Sequence, residues 1–169
     1  MKKVLIVIDM QKDFIDGCLG TKEAVAIVPN VIKKVKEYQN SCCEIIYTRD
    51  THSDNYLDTN EGRHLPVVHC IRDTDGWMIP ENIYVEGCHI IDKPSFGSLE
   101  WGRFDLDEAD EIEIIGLCTD ICVVSNALIL KAMFPEKRVF VDSMCCAGVT
   151  PETHKAALET MKMCQVDVI

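Results

Sequence analysis

The sequence lacks an excess of basic residues and any long apolar run, and each absence excludes a class of function. Of its 169 residues, 17 are Lys or Arg and 28 are Asp or Glu, which gives a formal net charge of −11 at pH 7. Such a charge disfavours broad contact with nucleic-acid phosphates or an anionic membrane surface. No apolar stretch approaches the roughly 20 residues that a membrane-spanning helix needs. We therefore expect a small-molecule partner, with no nucleic acid and no membrane.

Cysteine is abundant, with ten in the chain, but the chain is larger than most disulfide-dense scaffolds. Several cysteines lie in apolar runs, and the adjacent pairs Cys42–Cys43 and Cys145–Cys146 are expected to be buried small hydrophobic side chains. The first apolar run, Val4–Ile8, ends at Asp9, where the hydrophobic region of a secretion signal would continue. These observations predict a cytoplasmic protein.

Short apolar runs alternate with helical patterns along the whole chain. After the first run, Val28, Val31 and Val35 recur at helical spacing, and Thr150 followed by Pro151 marks the start of a last helix. This alternation predicts an α/β fold in which a parallel sheet is covered by helices on both faces. The strand-like runs are Val4–Ile8, Glu44–Thr48, His89–Ile91, Ile112–Gly116, Val139–Val141 and Val166–Ile169. We expect residues 1–169 to form a single domain.

Three polar residues follow strand-like runs, at the edge where open parallel sheets bind ligands. They are Asp9, Lys93 and Cys122, the last at the predicted start of a helix. A helix N-terminus and a neighbouring cation lower the pKa of a thiol, so Cys122 is a candidate nucleophile. Asp9 is a candidate to accept the thiol proton and deliver it to a leaving amine. Taken singly, the Asp also suits a turn cap, the Lys a solvated surface and the Cys simple packing.

The stretch between the second and third runs is predicted to be a long loop, because it lacks sustained periodicity. Loops this long in compact domains are usually functional or disordered, and this one contains His52, Glu61, His64 and His69. The alternation of Asp50 and His52 would put both side chains on one side of an extended segment, which His69 could join. From the residues alone, ordinary hydrogen-bonded loop histidines remain the alternative to a metal site.

Several segments resemble the isochorismatase-like cysteine hydrolases, a family that includes the nicotinamidases. The segment Ile115–Val123, IGLCTDICV, closely resembles the family's nucleophile motif, and Leu5–Phe14 resembles its opening motif. Lys93 lies at the expected place between them. Further similarity covers residues 48–52, 69–70 and 151–154, so the resemblance spans nearly the whole chain.

The resemblance implies a fold and a set of catalytic residues. The fold is a three-layer, Rossmann-like arrangement with an open six-stranded parallel sheet. The catalytic triad is assigned to Asp9, Lys93 and Cys122. The resemblance also implies an oxyanion hole from the backbone N–H groups of Cys118 and Cys122, with a cis peptide bond before Cys118. Phe14 matches a residue that forms an aromatic wall of the nicotinamide pocket in the family.

The resemblance also implies a divalent cation, held by Asp50, His52 and His69. Glu61 is the expected additional ligand, and His64 is the competing candidate. A mixed site of nitrogen and oxygen ligands suits Zn²⁺, which we expect, although Fe²⁺ and Mn²⁺ are also compatible. Relatives commonly form homo-oligomers, and we expect one here.

The activity implied most directly is hydrolysis of nicotinamide to nicotinate and ammonia through a thioester. The segment Leu65–His69 lacks the tryptophan that some nicotinamidases carry before the metal-binding histidine, so Trp77 or Trp101 would have to replace it. One alternative is hydrolysis of isochorismate or of a carbamoyl-type amide on the same scaffold. Another is a non-catalytic binder or a redox pair of Cys118 and Cys122, although their spacing departs from Cys-x-x-Cys.

Overall fold

Six strands and five α-helices make up most of the protein, whose structure is a computed structural model describing residues 2–169. The strands are β1 (Lys3–Ile8), β2 (Glu44–Asp50), β3 (His89–Lys93), β4 (Glu111–Leu117), β5 (Arg138–Ala147) and β6 (Asp167–Val168). The helices are α1 (Lys12–Ile15), α2 (Lys22–Asn40), α3 (Asn60–His64), α4 (Val124–Met133) and α5 (Pro151–Met163). Short 3₁₀-helices span Tyr56–Asp58, Glu100–Arg103 and Leu106–Glu108, and a π-helical turn spans Thr119–Val123.

The strands form one sheet in the order β3-β2-β1-β4-β5-β6, and all neighbouring pairs are parallel. Helix α2 packs against β2, β4 and β5, whereas α4 and α5 pack against each other and against β5. The predicted three-layer α/β fold with an open six-stranded parallel sheet is therefore confirmed. Strand β5 extends well beyond the predicted run, and β6 is shorter than predicted.

Strand β1 lies at the centre of the sheet, and its residues from Val4 to Ile8 are fully buried. Such a strand, covered on both faces, needs a continuous apolar run rather than alternation, which is what the sequence has. Helix α2 begins where Thr21 accepts a hydrogen bond from the backbone of Ala24. Helix α5 begins with a capping box of Thr150 and Thr153. These local signals fix where each helix starts.

The order of strands creates a crevice beside the end of β1. From β1 the chain builds β2 and β3 on one side, then returns to place β4, β5 and β6 on the other side. The connections that follow β1 and β4 therefore leave neighbouring strands in opposite directions. Such a switch in strand order is where open parallel sheets bind ligands, outside the carboxyl ends of the strands.

Two details of the predicted organisation are wrong. Cys42 is exposed and Cys43 is half-buried, because α2 ends at Asn40 and the pair forms the turn leading into β2. Cys145 and Cys146, which lie within β5, are buried as predicted.

The long segment between β2 and β3 is not entirely irregular, because it contains the 3₁₀-helix Tyr56–Asp58 and α3. Across residues 2–169, no helix combines the length and apolar character required to cross a membrane.

Candidate active site

Asp9 follows β1 directly and is fully buried at the crevice. Its backbone has a positive φ of 45°, which turns the chain sharply as it leaves the strand. Thr48 of β2 donates a hydrogen bond of 2.6 Å to the Oδ1 atom of Asp9, and its hydroxyl accepts the Asp9 backbone N–H at 3.1 Å. The Oδ2 atom lies 2.6 Å from the ammonium of Lys93. Both carboxylate oxygens are thus held in place by neighbouring strands.

Lys93 is the last residue of β3, and its fully buried ammonium joins several groups of the site. Besides Asp9, it lies 3.5 Å from the sulfur of Cys122 and 3.6 Å from Oδ1 of Asp50. It also donates a hydrogen bond of 3.2 Å to the backbone carbonyl of Ser95. Burial alone would lower the pKa of Lys93, but the negative charge of Asp9 raises it above its usual value. The neighbouring carboxylate therefore favours the charged form of this side chain.

Cys122 lies in the π-helical turn that connects β4 to α4, and only 4% of it is exposed. Burial, followed by the charge of Asp9, raises the pKa of Cys122 well above its usual value, although Lys93 partly opposes this. The expectation that the helix and Lys93 would lower this pKa is wrong, because desolvation of the thiolate outweighs them. Burial and the charge of Asp9 therefore favour the protonated form of this thiol.

The peptide bond between Leu117 and Cys118 is cis, as the resemblance implies. Immediately before it, Gly116 has a φ of 121°, and a Cβ atom there would lie 2.0 Å from the carbonyl oxygen of Ile8. Only glycine permits this close approach of β4 to β1. Cys118 and Cys122 both line the same cavity. The two residues whose backbone groups are predicted to form an oxyanion hole therefore line one cavity.

A cavity of about 220 Å³ is lined by Cys122, with Asp9 and Lys93 buried behind it. This volume is below the roughly 300–1,000 Å³ of most ligand pockets, which favours a small substrate. The cavity is mainly apolar and also carries several polar side chains. The lining includes the apolar residues Phe14, Leu19, Leu65, Phe96, Ile121 and Val149, together with Cys118, Cys122, Asp50, Glu61 and His69.

Phe14 lines this cavity, with its ring centroid 5.5 Å from that of His69. The two tryptophans do not replace the missing aromatic residue, because both are buried with hydrogen bonds elsewhere. The indole of Trp77 donates to the hydroxyl of Thr51, and that of Trp101 donates to Asn126. Phe96, which the sequence interpretation missed, supplies the second aromatic side chain of the cavity wall.

Asp50, His52, Glu61 and His69 form a cluster beside the cavity, with one ligand atom from each lying within 4.8 Å of all the others. The Nε2 atom of His52 lies 2.9 Å from Oδ2 of Asp50, and that of His69 lies 3.5 Å from the same oxygen. Oε1 of Glu61 lies 3.6 Å from Nε2 of His52. The long loop has therefore returned to the end of β2, as the sequence predicted.

The chemistry of this cluster fits a divalent cation. Nδ1 of His69 hydrogen-bonds the carbonyl of Val67 at 2.7 Å, which orients Nε2 toward the cluster as in many metal sites. Burial alone would raise the pKa of Asp50, but hydrogen bonds with His52 and His69 lower it, so the carboxylate is ionised. Two imidazoles and two carboxylates are ligands suited to Zn²⁺.

Of the two candidates for the additional ligand, the structure brings Glu61 into the cluster. His64 is exposed, and its Nδ1 atom hydrogen-bonds the carbonyl of Asn60 at 2.8 Å. The difference follows from α3, a five-residue helix that begins after Thr59. Glu61 lies in the first turn of this helix next to the cluster, whereas His64 is its last residue and its ring bonds back to Asn60.

Two buried polar residues at this site were not singled out from the sequence. Thr48 holds the carboxylate of Asp9, and Asn126 hydrogen-bonds the backbone carbonyl of Cys122 at 2.8 Å. Asn126 had a detectable signal, because it is a polar residue four positions after the candidate nucleophile in a mainly apolar helix. Phe96 had no such signal in the sequence, since its place in the cavity depends on how the segment after β3 folds back.

A buried thiol, carboxylate and ammonium lie together at the end of a parallel sheet, next to a small apolar cavity and a cluster of residues that could hold a metal ion. Residues 3–169 match the isochorismatase domain family. The chain therefore belongs to the isochorismatase domain family and is a hydrolase of that family.

Comparison with individual proteins agrees with this assignment. The nicotinamidase/pyrazinamidase of Mycobacterium tuberculosis is 25% identical over 189 residues, covering 99% of this chain and 98% of that protein. The crystal structure of the pyrazinamidase of Pyrococcus horikoshii in complex with zinc has 27% identity and a TM-score of 0.79, covering 100% of this chain and 99% of that one. The N-carbamoylsarcosine amidase of Thermoplasma acidophilum shares the fold, with 23% identity and a TM-score of 0.81 over 99% of this chain and 95% of that one.

Proposed function

We propose that this chain acts as a single domain that hydrolyses a small carboxamide, with nicotinamide as the substrate. One observation carries the proposal: Lys93 lies between the Asp9 carboxylate, at 2.6 Å, and the Cys122 sulfur, at 3.5 Å, beside a small apolar cavity. Thiol, proton acceptor and cation are the groups that amide cleavage through a thioester requires.

The first half of the reaction acylates the enzyme. The sulfur of Cys122 attacks the carbonyl carbon of the amide while its proton passes to the carboxylate of Asp9. Backbone N–H groups of Cys118 and Cys122 receive the negative charge that develops on the carbonyl oxygen. The carbon–nitrogen bond then breaks, Asp9 returns the proton to the nitrogen, and ammonia leaves. The product of this half is a thioester on Cys122.

The second half regenerates the thiol. A water molecule gives a proton to Asp9 as its oxygen attacks the thioester carbonyl. The carbon–sulfur bond breaks, Asp9 protonates the sulfur of Cys122, and the acid is released. Throughout, Lys93 orients Asp9 and compensates the negative charge that passes between the carboxylate and the sulfur. A raised pKa of Cys122 suits this cycle, because the thiolate is generated only as Asp9 accepts its proton.

Asp50, His52, Glu61 and His69 would hold a divalent cation, which we propose is zinc. When bound, such an ion supplies a Lewis acid that can hold the ring nitrogen of a pyridine or orient water. The apolar walls around Phe14 orient a flat ring between the cation site and Cys122. The zinc complex of the pyrazinamidase from Pyrococcus horikoshii and the nicotinamidase/pyrazinamidase of Mycobacterium tuberculosis support both parts of this proposal.

The test is ammonia release from nicotinamide, measured with the native protein, with Cys122→Ala and with Cys122→Ser. We expect release by the native protein and loss of at least about a thousandfold in kcat with Cys122→Ala. In a rapid quench with acid, the native protein should carry a nicotinoyl adduct on the peptide containing Cys122. Ammonia release that persists in Cys122→Ala would exclude Cys122 as the nucleophile.

A carbamoyl-type amide is the second candidate substrate, and Leu65 is the observation that favours it. The side chain lines the cavity in the segment where some nicotinamidases carry a tryptophan, so the wall there is aliphatic. The shared fold of N-carbamoylsarcosine amidase is compatible with this alternative. Comparing kcat/KM for nicotinamide, pyrazinamide and N-carbamoylsarcosine decides between them. A higher kcat/KM for N-carbamoylsarcosine than for nicotinamide would overturn nicotinamide as the substrate, but it would leave the proposed cysteine mechanism unchanged.

The expected homo-oligomer and the cytoplasmic location stay predictions. Light scattering of the purified protein checks the first expectation, and fractionation of cells checks the second.

A further inference from the structure

Asn126 is a fully buried amide on α4, four residues after Cys122, and all of its hydrogen-bonding groups are used. Its Nδ2 atom donates to the carbonyl of Cys122 at 2.8 Å and to the carbonyl of Phe96 at 3.0 Å. Its Oδ1 atom accepts the backbone N–H of Ser98 at 2.9 Å and the indole N–H of Trp101 at 3.1 Å. A buried amide with four partners holds the surrounding backbone in one arrangement.

The segments that Asn126 joins carry different parts of the site. The carbonyl of Cys122 lies where the π-helical turn passes into α4, a place where the regular helical hydrogen-bond ladder changes. The other segment leads from Lys93, whose ammonium bonds the carbonyl of Ser95, to the cavity-lining Phe96. The amide thus connects the turn that bears the nucleophile to the segment that bears the cation and an aromatic wall.

We infer that Asn126 is a positioning residue that sets the spacing between the nucleophile Cys122 and the cavity wall at Phe96, an inference that rests on the proposed function. The two N–H groups of one amide diverge from a single nitrogen, so the two carbonyls they bind cannot move independently. Attack by a nucleophile is sensitive to displacements of about 1 Å, which can cost about a hundredfold in rate. A link of this kind fixes the sulfur relative to the bound ring.

Two substitutions at position 126 can separate the hydrogen bond to the carbonyl of Cys122 from the one to the carbonyl of Phe96. A threonine hydroxyl in a helix donates to the carbonyl four residues earlier, which here is that of Cys122. It is too short to reach the carbonyl of Phe96 as well. Asn126→Thr should therefore keep the link to the nucleophile and lose the link to the wall, whereas Asn126→Ala loses both.

The matched control is Trp101→Phe. It removes one donor to Oδ1 of Asn126 but leaves both donations from Nδ2. Trp101 is fully buried, so the control also costs stability. Any effect that follows merely from loosening the buried cluster should appear in this variant too.

The experiment measures kcat and KM for nicotinamide with zinc-loaded native protein and the three variants, together with their melting temperatures. For Asn126→Ala we expect kcat to fall at least about tenfold and KM to rise. For Asn126→Thr we expect kcat within about threefold of the native value and KM raised about tenfold. For Trp101→Phe we expect a lower melting temperature with kcat and KM both within about twofold of native.

A second readout does not depend on the substrate. The rate at which iodoacetamide alkylates Cys122, followed by mass spectrometry of its peptide, should rise at least about fivefold in Asn126→Ala as the turn loosens. It should stay near the native rate in Asn126→Thr and in Trp101→Phe. If the native protein does not release ammonia from nicotinamide, the proposed function fails while this alkylation series still tests Asn126.

Two results would overturn the inference. One is that Asn126→Ala and Trp101→Phe lower the melting temperature alike and leave kcat, KM and alkylation of Cys122 at native values, which would make Asn126 purely structural. The other is that Asn126→Thr behaves like Asn126→Ala in kcat and in alkylation, which would show that the bond to Cys122 has no separate role. If Asn126→Ala fails to fold, the contrast between Asn126→Thr and Trp101→Phe decides.

Discussion

Thr48 and Asp9 exchange two hydrogen bonds across neighbouring strands. The hydroxyl donates to the Oδ1 atom at 2.6 Å and accepts the Asp9 backbone N–H at 3.1 Å. With Lys93 on the other oxygen, the carboxylate has a fixed orientation although its backbone has just left β1 with a positive φ. Thr48 therefore determines which way the proposed general base points.

Replacing this hydroxyl should slow the reaction. In Thr48→Val, which is nearly isosteric, Asp9 loses both of these hydrogen bonds, and we expect kcat for nicotinamide to fall about tenfold, or about 1.4 kcal/mol. The control is Thr51→Val, whose hydroxyl binds Trp77 and not Asp9. Steady-state kinetics and thermal melts check both. Equal losses of kcat in the two variants would contradict a specific role for Thr48.

The charge of Asp9 should have opposite effects on catalysis and on thiol reactivity. Burial and then Asp9 raise the pKa of Cys122, whereas Lys93 lowers it. In Asp9→Asn the negative charge of Asp9 is lost while the positive charge of Lys93 remains. The pKa of the Cys122 thiol should therefore fall, and more thiolate should be present at neutral pH. We therefore expect faster alkylation of Cys122 by iodoacetamide at pH 7, with ammonia release abolished. Slower alkylation in this variant would show that Asp9 activates the resting thiol.

Replacing Lys93 alone should lower the unfolding free energy more than replacing it together with its partner Asp9. In Lys93→Met two buried carboxylates, Asp9 and Asp50, lose their shared cation, and we expect a loss of about 3–5 kcal/mol in unfolding free energy. Adding Asp9→Asn should recover part of this loss without restoring activity. Urea denaturation of the two single variants and the double variant measures the coupling. Strictly additive losses would mean that the ion pair contributes nothing.

The metal cluster should depend on Glu61 and not on His64. We expect Glu61→Gln to weaken zinc binding at least about tenfold, since a carboxylate ligand becomes a neutral amide. His64→Ala should bind zinc like the native protein, because His64 is exposed on the same short helix but outside the cluster. Competition with a chromophoric chelator gives both affinities. The reverse order of effects would exchange the roles of the two residues.

Phe14 should contribute to binding of the ring more than to chemistry. Phe14→Leu shortens the cavity wall beside His69, and we expect KM for nicotinamide to rise about tenfold with kcat nearly unchanged. Phe104→Leu is the control, because Phe104 packs against His89 and Trp101 outside the cavity. A change confined to kcat in Phe14→Leu would argue against a substrate-binding wall.

The strands and the candidate site residues were predictable because their signals are local. Each buried strand of a parallel sheet needs a short apolar run, and polar residues directly after such runs lie at one edge. Asp9, Lys93 and Cys122 were found in this way, and the structure brings their side chains together. The motif around Cys122 then identified the family, which composition and periodicity alone do not.

What the sequence did not reveal depends on contacts between distant segments. The predicted direction of the pKa shift of Cys122 was wrong, because the extent to which the folded chain buries its thiol cannot be read from the sequence. Phe96 and Asn126 acquire their roles where the segment after β3 meets α4. Cys42 and Cys43 resembled core residues, but the end of α2 at Asn40 leaves them in a surface turn.

Much of the cavity lining comes from connecting segments, including Leu65, Phe96 and Val149, whereas Asp9 and Lys93 are anchored at strand ends. Under the proposed function, selectivity and bond cleavage are therefore encoded in different parts of the chain. Substitutions in the connections can change which molecule is accepted without disturbing the rigid sheet. The same framework can in this way acquire a new substrate by a few surface-loop changes, and an engineer seeking to redirect it should begin there.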